Sequence, residues 1–173
     1  MESAFAEGRH NMDVFLDGVY TATATLRYDV APATAAAIWD VLPISGDLMH
    51  VTSSGEGVFF AVNADLAIDV RHGHGSDGLT ASGTVVQGEP IIRAENQTCF
   101  VSQGDFVLTP HKACIIAYGR RCIIRSYGGD LPSNAFAYVR DPDQLDRLEK
   151  IAKRTLKYGA MHIELRRVES EGG

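Results

Sequence analysis

Apolar and polar residues alternate strictly over residues 20–28. Ala22, Ala24 and Leu26 fall on one face of an extended chain, and the threonines between them fall on the other. This alternation is typical of a strand with one buried face. The same pattern returns at residues 161–166, where it predicts a final strand.

Shorter apolar runs between these two segments predict further strands. They cover residues 48–52, 58–62, 66–70, 81–86, 98–102, 106–108, 113–118, 122–125 and 135–139. Glycines concentrate between residues 63 and 88, and glycine favours turns and loops. We therefore expect the strands at 66–70 and 81–86 to form a hairpin around residues 73–78.

Residues 32–42 carry apolar side chains at helical spacing. Pro32 suits the first turn of a helix, where its missing N–H is not needed, and Pro43 and Gly46 end the helix. The spacing predicts a short amphipathic helix of the kind that covers the end of a barrel. Its apolar stripe consists of Ala35, Ile38, Trp39 and Leu42.

A second helix, after residue 140, is the clearest element of the sequence. Asp141 is a natural N-cap, Pro142 takes the first helical position, and Gln144 can close a capping box. Gly159 marks the end of the helix. The predicted buried stripe consists of Leu145, Leu148, Ile151, Ala152 and Leu156.

Many short strands with only two helices, at turn spacings of about ten residues, predict a mainly β fold. We expect a closed or nearly closed antiparallel barrel. A series of βαβ units is excluded, because two helices are too few to cross over between parallel strands. The sequence shows no internal repeat and no linker, so we expect one domain at residues 13–173 after a flexible N-terminal arm at residues 1–12.

Composition narrows the classes of partner. The 173 residues are 45% hydrophobic and 22% charged, as in an ordinary globular domain. The net charge of -6 argues against a nucleic-acid or anionic-membrane partner, because both need a positive patch. No apolar run approaches the roughly 20 residues of a membrane helix, and no signal peptide is recognised. The three cysteines lack C-x-x-C spacing and indicate a reducing compartment, so we expect a cytoplasmic protein.

Two segments carry a family resemblance. The first is residues 39–43 (WDVLP), followed by residues 48–50 (LMH) and 54–56 (SGE); the second is residues 104–110 (GDFVLTP), followed by residues 115–119 (IIAYG). In this order and spacing they resemble uncharacterised bacterial and archaeal proteins with a cyclophilin-like barrel. The resemblance covers about residues 31–119, roughly half of the chain, and implies an eight-stranded barrel with helices at its ends.

The resemblance does not bring an activity with it. True cyclophilins, which are prolyl isomerases, carry a Phe-His-Arg signature and a later Gln and Trp in the proline pocket. This sequence has no Phe-His-Arg triplet, and its only tryptophan, Trp39, lies on the apolar stripe of the first helix. Prolyl isomerase activity is therefore not expected.

His50 and Glu56 form the first candidate site, with a catalytic role. Histidine titrates near physiological pH, and a neighbouring carboxylate can orient its ring and raise its basicity. A hairpin between residues 48–52 and 58–62 would hold Glu56 close to His50, with the hydroxyl of Ser54 in the same place as a substrate-binding group. The alternative is a plain hairpin turn with a solvated glutamate.

Tyr118 and Arg121 are the second group, with a substrate-binding role. If Tyr118 ends a core strand, its hydroxyl and the arginines that follow, Arg120 and Arg121, would lie at the barrel rim with His111 nearby. Arginine binds carboxylates through two parallel hydrogen bonds. The alternative is a tyrosine that packs in the core beside solvated arginines.

His72 and His74 have an H-x-H spacing that would place both rings on one side of a strand. A metal site would need a third ligand, for which Asp69 or Asp77 is near in sequence. The alternative is an exposed glycine-rich loop, and two ligands fall short of a usual set, so no metal site is assigned. The sequence lacks a G-x-S-x-G elbow, a phosphate loop and a dinucleotide fingerprint, so no cofactor is expected.

These observations favour a barrel that binds or acts on a small metabolite at a polar rim pocket made by His50, Glu56, Tyr118 and Arg121. The second hypothesis is a non-catalytic module that forms homo-oligomers through residues 63–88. The third is a divergent prolyl isomerase. The first fails if His50 and Glu56 point to opposite faces of the sheet.

Overall fold

A computed structural model describes residues 10–67, 70–72 and 90–168. The strands are β1 Asn11–Leu16, β2 Val19–Leu26, β3 Ile44–His50, β4 Gly55–Ala61, β5 Val70–His72, β6 Pro90–Ile92, β7 Gln97–Thr98, β8 Asp105–Leu108, β9 Ala113–Cys122, β10 Arg125–Ser126, β11 Gly129–Asp130, β12 Ser133–Tyr138 and β13 Met161–Arg167. The helices are α1 Pro32–Val41, α2 Pro142–Ala152 and the single turn α3 Thr155–Tyr158.

The main sheet closes on itself. Its strand order is β2-β1-β13-β3-β4-β9-β8-β12, and β12 pairs back with β2, so that eight strands form a barrel. All of these pairings are antiparallel. The short strand β7 pairs with the end of β12, and β10 and β11 form a separate small hairpin. The predicted closed antiparallel barrel with two helices is confirmed.

The barrel begins with a strand, β1, that the sequence did not lead us to expect. Asn11 and Met12 belong to β1, and Met12 is fully buried, so the predicted arm at residues 1–12 is wrong at its C-terminal end. Met12, Val14 and Leu16 alternate inward, and the strand hydrogen-bonds β2 on one side and β13 on the other. Residues 1–9 lie outside the described residues.

Side chains fill the inside of the barrel. The largest of them are each less than 2% exposed. They include Tyr118, Phe60, Phe106, Phe136, Met12, Leu16, Leu48, Leu108 and Ile116. Residues on the inward face of every barrel strand contribute to this cluster, which also takes in the buried faces of α1 and α2. The barrel interior is therefore the main hydrophobic core.

A second apolar cluster lies on the outer face of β8 and β9. It uses the residues that alternate with the core residues on these strands, such as Val107 and Ile115. Ile124 and Leu131, from the segment that carries the β10–β11 hairpin, pack against them. One part of the barrel wall is thus buried on both faces, which explains the continuous apolar runs in its strands.

The helices follow the predicted pattern in part. Asp141 caps α2 by accepting a hydrogen bond of 2.9 Å from the Gln144 N–H. The side chain of Gln144 does not close a capping box; its oxygen accepts the N–H of Thr23 in β2 at 2.8 Å. The predicted helix is interrupted after Ala152, and Leu156 is 59% exposed, so its assignment to the buried stripe is wrong.

The middle of the chain is described only in part. β5 and β6 pair with each other, but β5 begins at Val70, whereas residues 66 and 67 are irregular. The predicted strand at 81–86 and the turn at 73–78 lie outside the described residues. None of the helices in the described part is long and apolar enough to cross a membrane.

Candidate functional site

The strand register brings His50 and Tyr118 to the same face of the sheet. His50 ends β3 opposite Val58 of β4, and Val58 lies opposite Ile116 of β9. Residues opposite each other in neighbouring strands point to the same side, and so do residues two apart along a strand. Ile116 is a core residue, so His50 and Tyr118 both face the barrel interior.

The two side chains are hydrogen-bonded. Nε2 of His50 lies 3.0 Å from the hydroxyl oxygen of Tyr118, and the ring centroids are 5.9 Å apart. Tyr118 is fully buried, whereas His50 is half-buried at the end of its strand. The expectation that Tyr118 ends a core strand is wrong, because β9 continues to Cys122. Tyr118 is nevertheless a core residue beside His50, and its hydroxyl is used by the imidazole.

Burial moves the pKa values of both groups toward their neutral forms. Desolvation lowers the pKa of His50 below its usual value. Desolvation also raises the pKa of Tyr118, and the nearby charges of Glu56 and Glu149 raise it further. At neutral pH the hydrogen bond thus joins a neutral imidazole to a phenol that keeps its proton. Nδ1 of His50 is buried and has no hydrogen-bond partner within the described part of the chain.

Glu56 occupies an irregular part of the β4–β9 ladder. Gly55 lies opposite Cys122, and Gly57 lies opposite Ala117. Four residues of β9, 118–121, therefore lie opposite the single residue Glu56 and form a bulge. Its carboxylate accepts the backbone N–H of Arg121 at 2.9 Å and the Arg121 guanidinium at 3.0 Å. These bonds hold the pKa of Glu56 below its usual value. Within the bulge, a side chain on Gly119 would collide with the Glu56 carboxylate.

The predicted site is assembled as two pairs. Glu56 lies two residues before Val58, so strand alternation places it on the same side of the sheet as His50. However, no hydrogen bond joins His50 to Glu56 among the described residues, because each has another partner. The catalytic role of these two residues stays a prediction.

Ser54 bonds to backbone instead of facing the pairs. Its hydroxyl accepts the Arg125 N–H at 3.1 Å and donates to the Arg125 carbonyl at 3.2 Å. The side chain is buried, and it ties the β3–β4 turn to the segment that follows β9. With the hydroxyl used in this way, Ser54 has a structural role, and its substrate-binding role stays a prediction.

The barrel wall beside His50 carries a cleft of about 390 Å³, which we call the outer cleft. Its floor is a row of three residues opposite each other on β3, β4 and β9: Met49, Phe59 and Ile115. Leu131 and Tyr127, from the segment around the β10–β11 hairpin, line the other side. The full lining is Met49, His50, Val51, Thr52, Ser53, Phe59, Thr109, His111, Ala113, Ile115, Arg125, Ser126, Tyr127 and Leu131.

Most polar groups in the lining of the outer cleft are already hydrogen-bonded. The Ser53 hydroxyl donates to the Arg125 carbonyl at 2.8 Å, and the Thr109 hydroxyl accepts the Ala113 N–H at 3.0 Å. The Ser126 hydroxyl accepts the Gly128 N–H at 3.2 Å. The surface that remains for an occupant is therefore mainly apolar.

A second cavity, of about 450 Å³, lies between the bulge of β9 and α2 and is polar. Its lining is Glu56, Gln103, Arg120, Arg121, Asp146 and Glu149. Several of these groups are already paired: Glu56 with Arg121, and Glu149 with the Gln103 amide at 3.1 Å and with Lys153 at 3.5 Å. The four residues of the predicted rim pocket are thus divided, with His50 at the outer cleft, Glu56 and Arg121 at the polar cavity, and Tyr118 buried beside His50.

The sequence did not single out the outer cleft as a site. The signal was present in the apolar runs of β4 and β9, which lack the alternation of a strand with one exposed face. The Gly128-Gly129 pair, typical of a hairpin turn, marks the β10–β11 hairpin.

Most candidate ligands of the metal hypothesis lie outside the described residues. His72 ends β5, whereas His74, Asp69 and Asp77 are not described. Among residues 10–67, 70–72 and 90–168, no three histidine, cysteine, aspartate or glutamate side chains are grouped as metal ligands would be.

Replacing His50 with glutamine is expected to flatten the pH dependence of stability. The folded-state pKa of His50 lies below that of the unfolded chain, so the unfolded state binds more protons at mildly acidic pH. The stabilisation is present above the unfolded pKa of about 6.5 and is lost as the pH falls through the folded pKa. Urea unfolding of both proteins at several pH values between about 5 and 8 measures this difference.

His162→Gln is the matched control, because His162 is exposed on β13. This control should keep the wild-type slope. An unchanged slope in His50→Gln would show that the buried imidazole does not couple folding to pH.

Solved structures of other proteins resemble this chain. A structure of McbB in complex with tryptophan has a TM-score of 0.62 at 16% identity, over 94% of this chain and 46% of the McbB chain. The hypothetical protein AF2241 from Archaeoglobus fulgidus has a TM-score of 0.56 at 15% identity, over 96% of this chain and all of its own. This chain spans less than half the length of the McbB chain, and likenesses at such low identity show the fold alone.

No curated protein matches the sequence. A family model described as a protein of unknown function, DUF3830, matches residues 15–167, from β1 to the end of β13. The match thus includes the end of β1, all of the other barrel strands, both pairs of the candidate site and the outer cleft. The chain belongs to the DUF3830 family.

Proposed function

We propose that this protein binds a small organic molecule in the outer cleft. The observation that carries the proposal is the apolar row Met49–Phe59–Ile115, covered by a hairpin and bordered by His50. A volume of about 390 Å³ and mainly apolar walls with a few polar groups are typical of ligand sites. Antiparallel strands with one solvated face usually carry polar side chains on that face, unlike these three positions.

The polar cavity supports ligand binding less well. Its glutamates are already neutralised by arginine, lysine and amide partners. A ligand that used the Glu56 or Glu149 carboxylate would have to break hydrogen bonds or ion pairs that the protein makes with itself. The sequence predicted a binding site at a polar rim, whereas we propose it in the outer cleft on the adjacent barrel wall. His50 belongs to the predicted rim pocket and also to the lining of the outer cleft.

His50 borders the outer cleft, whereas its ring faces the barrel interior. Its bond to Tyr118 holds the ring in place, and burial keeps the ring neutral near pH 7. A neutral imidazole can accept or donate one hydrogen bond at each nitrogen. However, Nε2 is used by Tyr118 and Nδ1 is buried, so neither nitrogen is open to a ligand.

A structural neighbour of this chain was solved in complex with a small molecule. McbB, whose structure contains the same fold, was solved in complex with tryptophan. This supports an aromatic molecule as an occupant of a barrel of this kind. The finer likeness to cyclophilin-like barrels, based on residues 39–56 and 104–119, stays a prediction, as do the cytoplasmic location and the lack of a nucleic-acid partner.

The alternatives are distinguishable. An oligomerising module would use residues 63–88, most of which lie outside the described residues, and it would not need the outer cleft. A divergent prolyl isomerase would act on a proline peptide, for which the sequence lacks the Phe-His-Arg signature. Neither explains an apolar cleft that is bordered by a hairpin.

An NMR fragment screen tests the proposal, with Ala113→Phe as the variant that fills the cleft. Ala113 lies in the cleft lining on β9, so the larger side chain should weaken binding of cleft-specific fragments about tenfold or more through direct overlap. Ala160→Phe, at an exposed position before β13, is the control and should bind like the wild type. Fragments that bind both variants equally, or a screen without hits, would contradict the proposal.

A further inference from the structure

We propose that the ligand of the outer cleft is a flat apolar carboxylate, whose carboxylate group is held by Arg125. This inference rests on the proposed function and adds the chemical class of the ligand. It follows from the charges in the lining and from the partners that Arg125 already has.

Arg125 is the only lysine, arginine, aspartate or glutamate among the described residues that line the outer cleft. A cationic ligand would find no carboxylate in this lining to replace its hydration, whereas an anion would meet one guanidinium. Desolvating an unpaired charge is costly, so the lining favours anionic or neutral ligands over cations.

The guanidinium is held from one side and open on the other. Its Nε donates to Asp130 at 2.9 Å, and the two residues lie opposite each other in the β10–β11 hairpin. The Arg125 backbone is fixed by Ser53 and Ser54. Within the described residues, the terminal nitrogens Nη1 and Nη2 make no hydrogen bond, and the side chain is 50% exposed.

This geometry suits end-on binding of a carboxylate. Nη1 and Nη2 lie side by side in the plane of the guanidinium and can donate two parallel hydrogen bonds to two carboxylate oxygens. Asp130 orients the guanidinium through Nε and leaves these two nitrogens free to donate. The apolar part of the ligand then lies against Phe59 and Ile115 on the floor, with Tyr127 on the hairpin side.

A matched series of naphthalene compounds tests the charge preference. The probes are 1-naphthylacetate, 1-naphthylacetamide and 2-(1-naphthyl)ethylamine, which share one ring system and carry a negative, a neutral and a positive group. Titration calorimetry on the full chain should give the acetate an affinity about tenfold or more above the amide, because hydrogen bonds to charged groups are the stronger ones. The amine should bind most weakly.

Three variants assign this preference to Arg125. Arg125→Gln should reduce acetate affinity to the level of the amide. Asp130→Asn breaks the same ion pair but leaves the guanidinium, so this variant should still bind the acetate more tightly than the amide. If both variants lose the preference for the acetate, the cause is a disturbed hairpin, and the role of Arg125 is overturned. Arg121→Gln, at the polar cavity, should bind like the wild type, and loss there would place the anion in that cavity instead.

The outcomes separate this inference from the proposed function. If the amide binds as tightly as the acetate and Ala113→Phe weakens both, the cleft binds ligands but the carboxylate class is wrong. If none of the three probes binds, the class is again wrong, and the fragment screen alone decides the proposed function.

Discussion

Gly104→Ala should lower the free energy of unfolding by about 3 kcal/mol or more, through backbone strain and overlap combined. Gly104 has a φ of +88°, a region that residues with a side chain adopt only at a cost. A Cβ there would collide with the carbonyl oxygen of Val139 and would come within 2.6 Å of the Leu145 side chain.

The backbone around Gly104 cannot move away. Its N–H donates to the Ala117 carbonyl at 2.7 Å, and its carbonyl accepts the Val139 N–H at 2.9 Å. Gly104 therefore joins β9 to the end of β12, close to α2, and a shift would break bonds on both sides. The large loss of stability in Gly104→Ala therefore comes more from the collision of the new Cβ with a backbone that cannot move than from the positive φ.

Gly18→Ala separates the two causes. Gly18 has a similar φ of +77°, but a Cβ there would meet no atom within 4 Å. The control should lose only the cost of the backbone conformation, about 1–2 kcal/mol. Urea denaturation of both variants measures the difference, and equal losses would contradict the assigned collision.

Asn134→Ala is expected to cost about 2–4 kcal/mol, because three hydrogen bonds are lost and buried groups are left unpaired. Asn134 is 2% exposed on β12. Its side-chain oxygen accepts the Glu95 N–H at 3.0 Å, and its amide donates to the Arg93 carbonyl at 2.9 Å and to the Thr34 hydroxyl at 3.2 Å. These bonds connect the barrel, the β6–β7 connection and α1.

The network also completes the N-terminus of α1. Ala31 makes no side-chain cap, and the Glu95 carboxylate instead accepts the N–H groups of Ala33 and Thr34 at 3.0 and 2.7 Å. Loss of Asn134 should therefore increase amide hydrogen exchange in the first turn of α1 as well as lower stability.

Gln97→Ala is the control for this prediction. Gln97 is an exposed amide one strand away, and its side chain donates a single bond to the Pro132 carbonyl at 3.1 Å. Exposed polar groups are satisfied by water after truncation, so a loss within about 0.5 kcal/mol is expected. A comparable loss in both variants would show that burial of Asn134 does not decide its contribution.

The sequence predicted the barrel because its signals are local. Alternation over β2 and β13, the proline at the start of α1 and the Asp141 cap of α2 all act within a few residues. β1 was missed although Asp17-Gly18, between alternating apolar segments, is a strong hairpin signal. Both residues have positive φ, as a tight two-residue turn requires.

The parts that were missed depend on contacts between distant residues. The Glu95 cap of α1 is 61 residues away from Thr34, and the Gln144 side chain bonds a strand 121 residues earlier. No local pattern distinguishes these partners from solvated side chains. The nearness of His50 and Tyr118 could be predicted, since it needed only the order of β3, β4 and β9, whereas the partner of Glu56 depended on a bulge that spacing does not reveal.

Packed side chains fill the barrel interior of this chain, which directs the search for a ligand site to its outer surface. Eight-stranded barrels have an interior just wide enough for side chains or for one small ligand, and here Phe60, Phe106 and Phe136 occupy it. Under the proposed function, ligand specificity would change through residues on the outer face of β3, β4 and β9 and on the β10–β11 hairpin, without loss of the core that stabilises the barrel. The proposed ligand binding and the core packing would then use opposite faces of the same three strands.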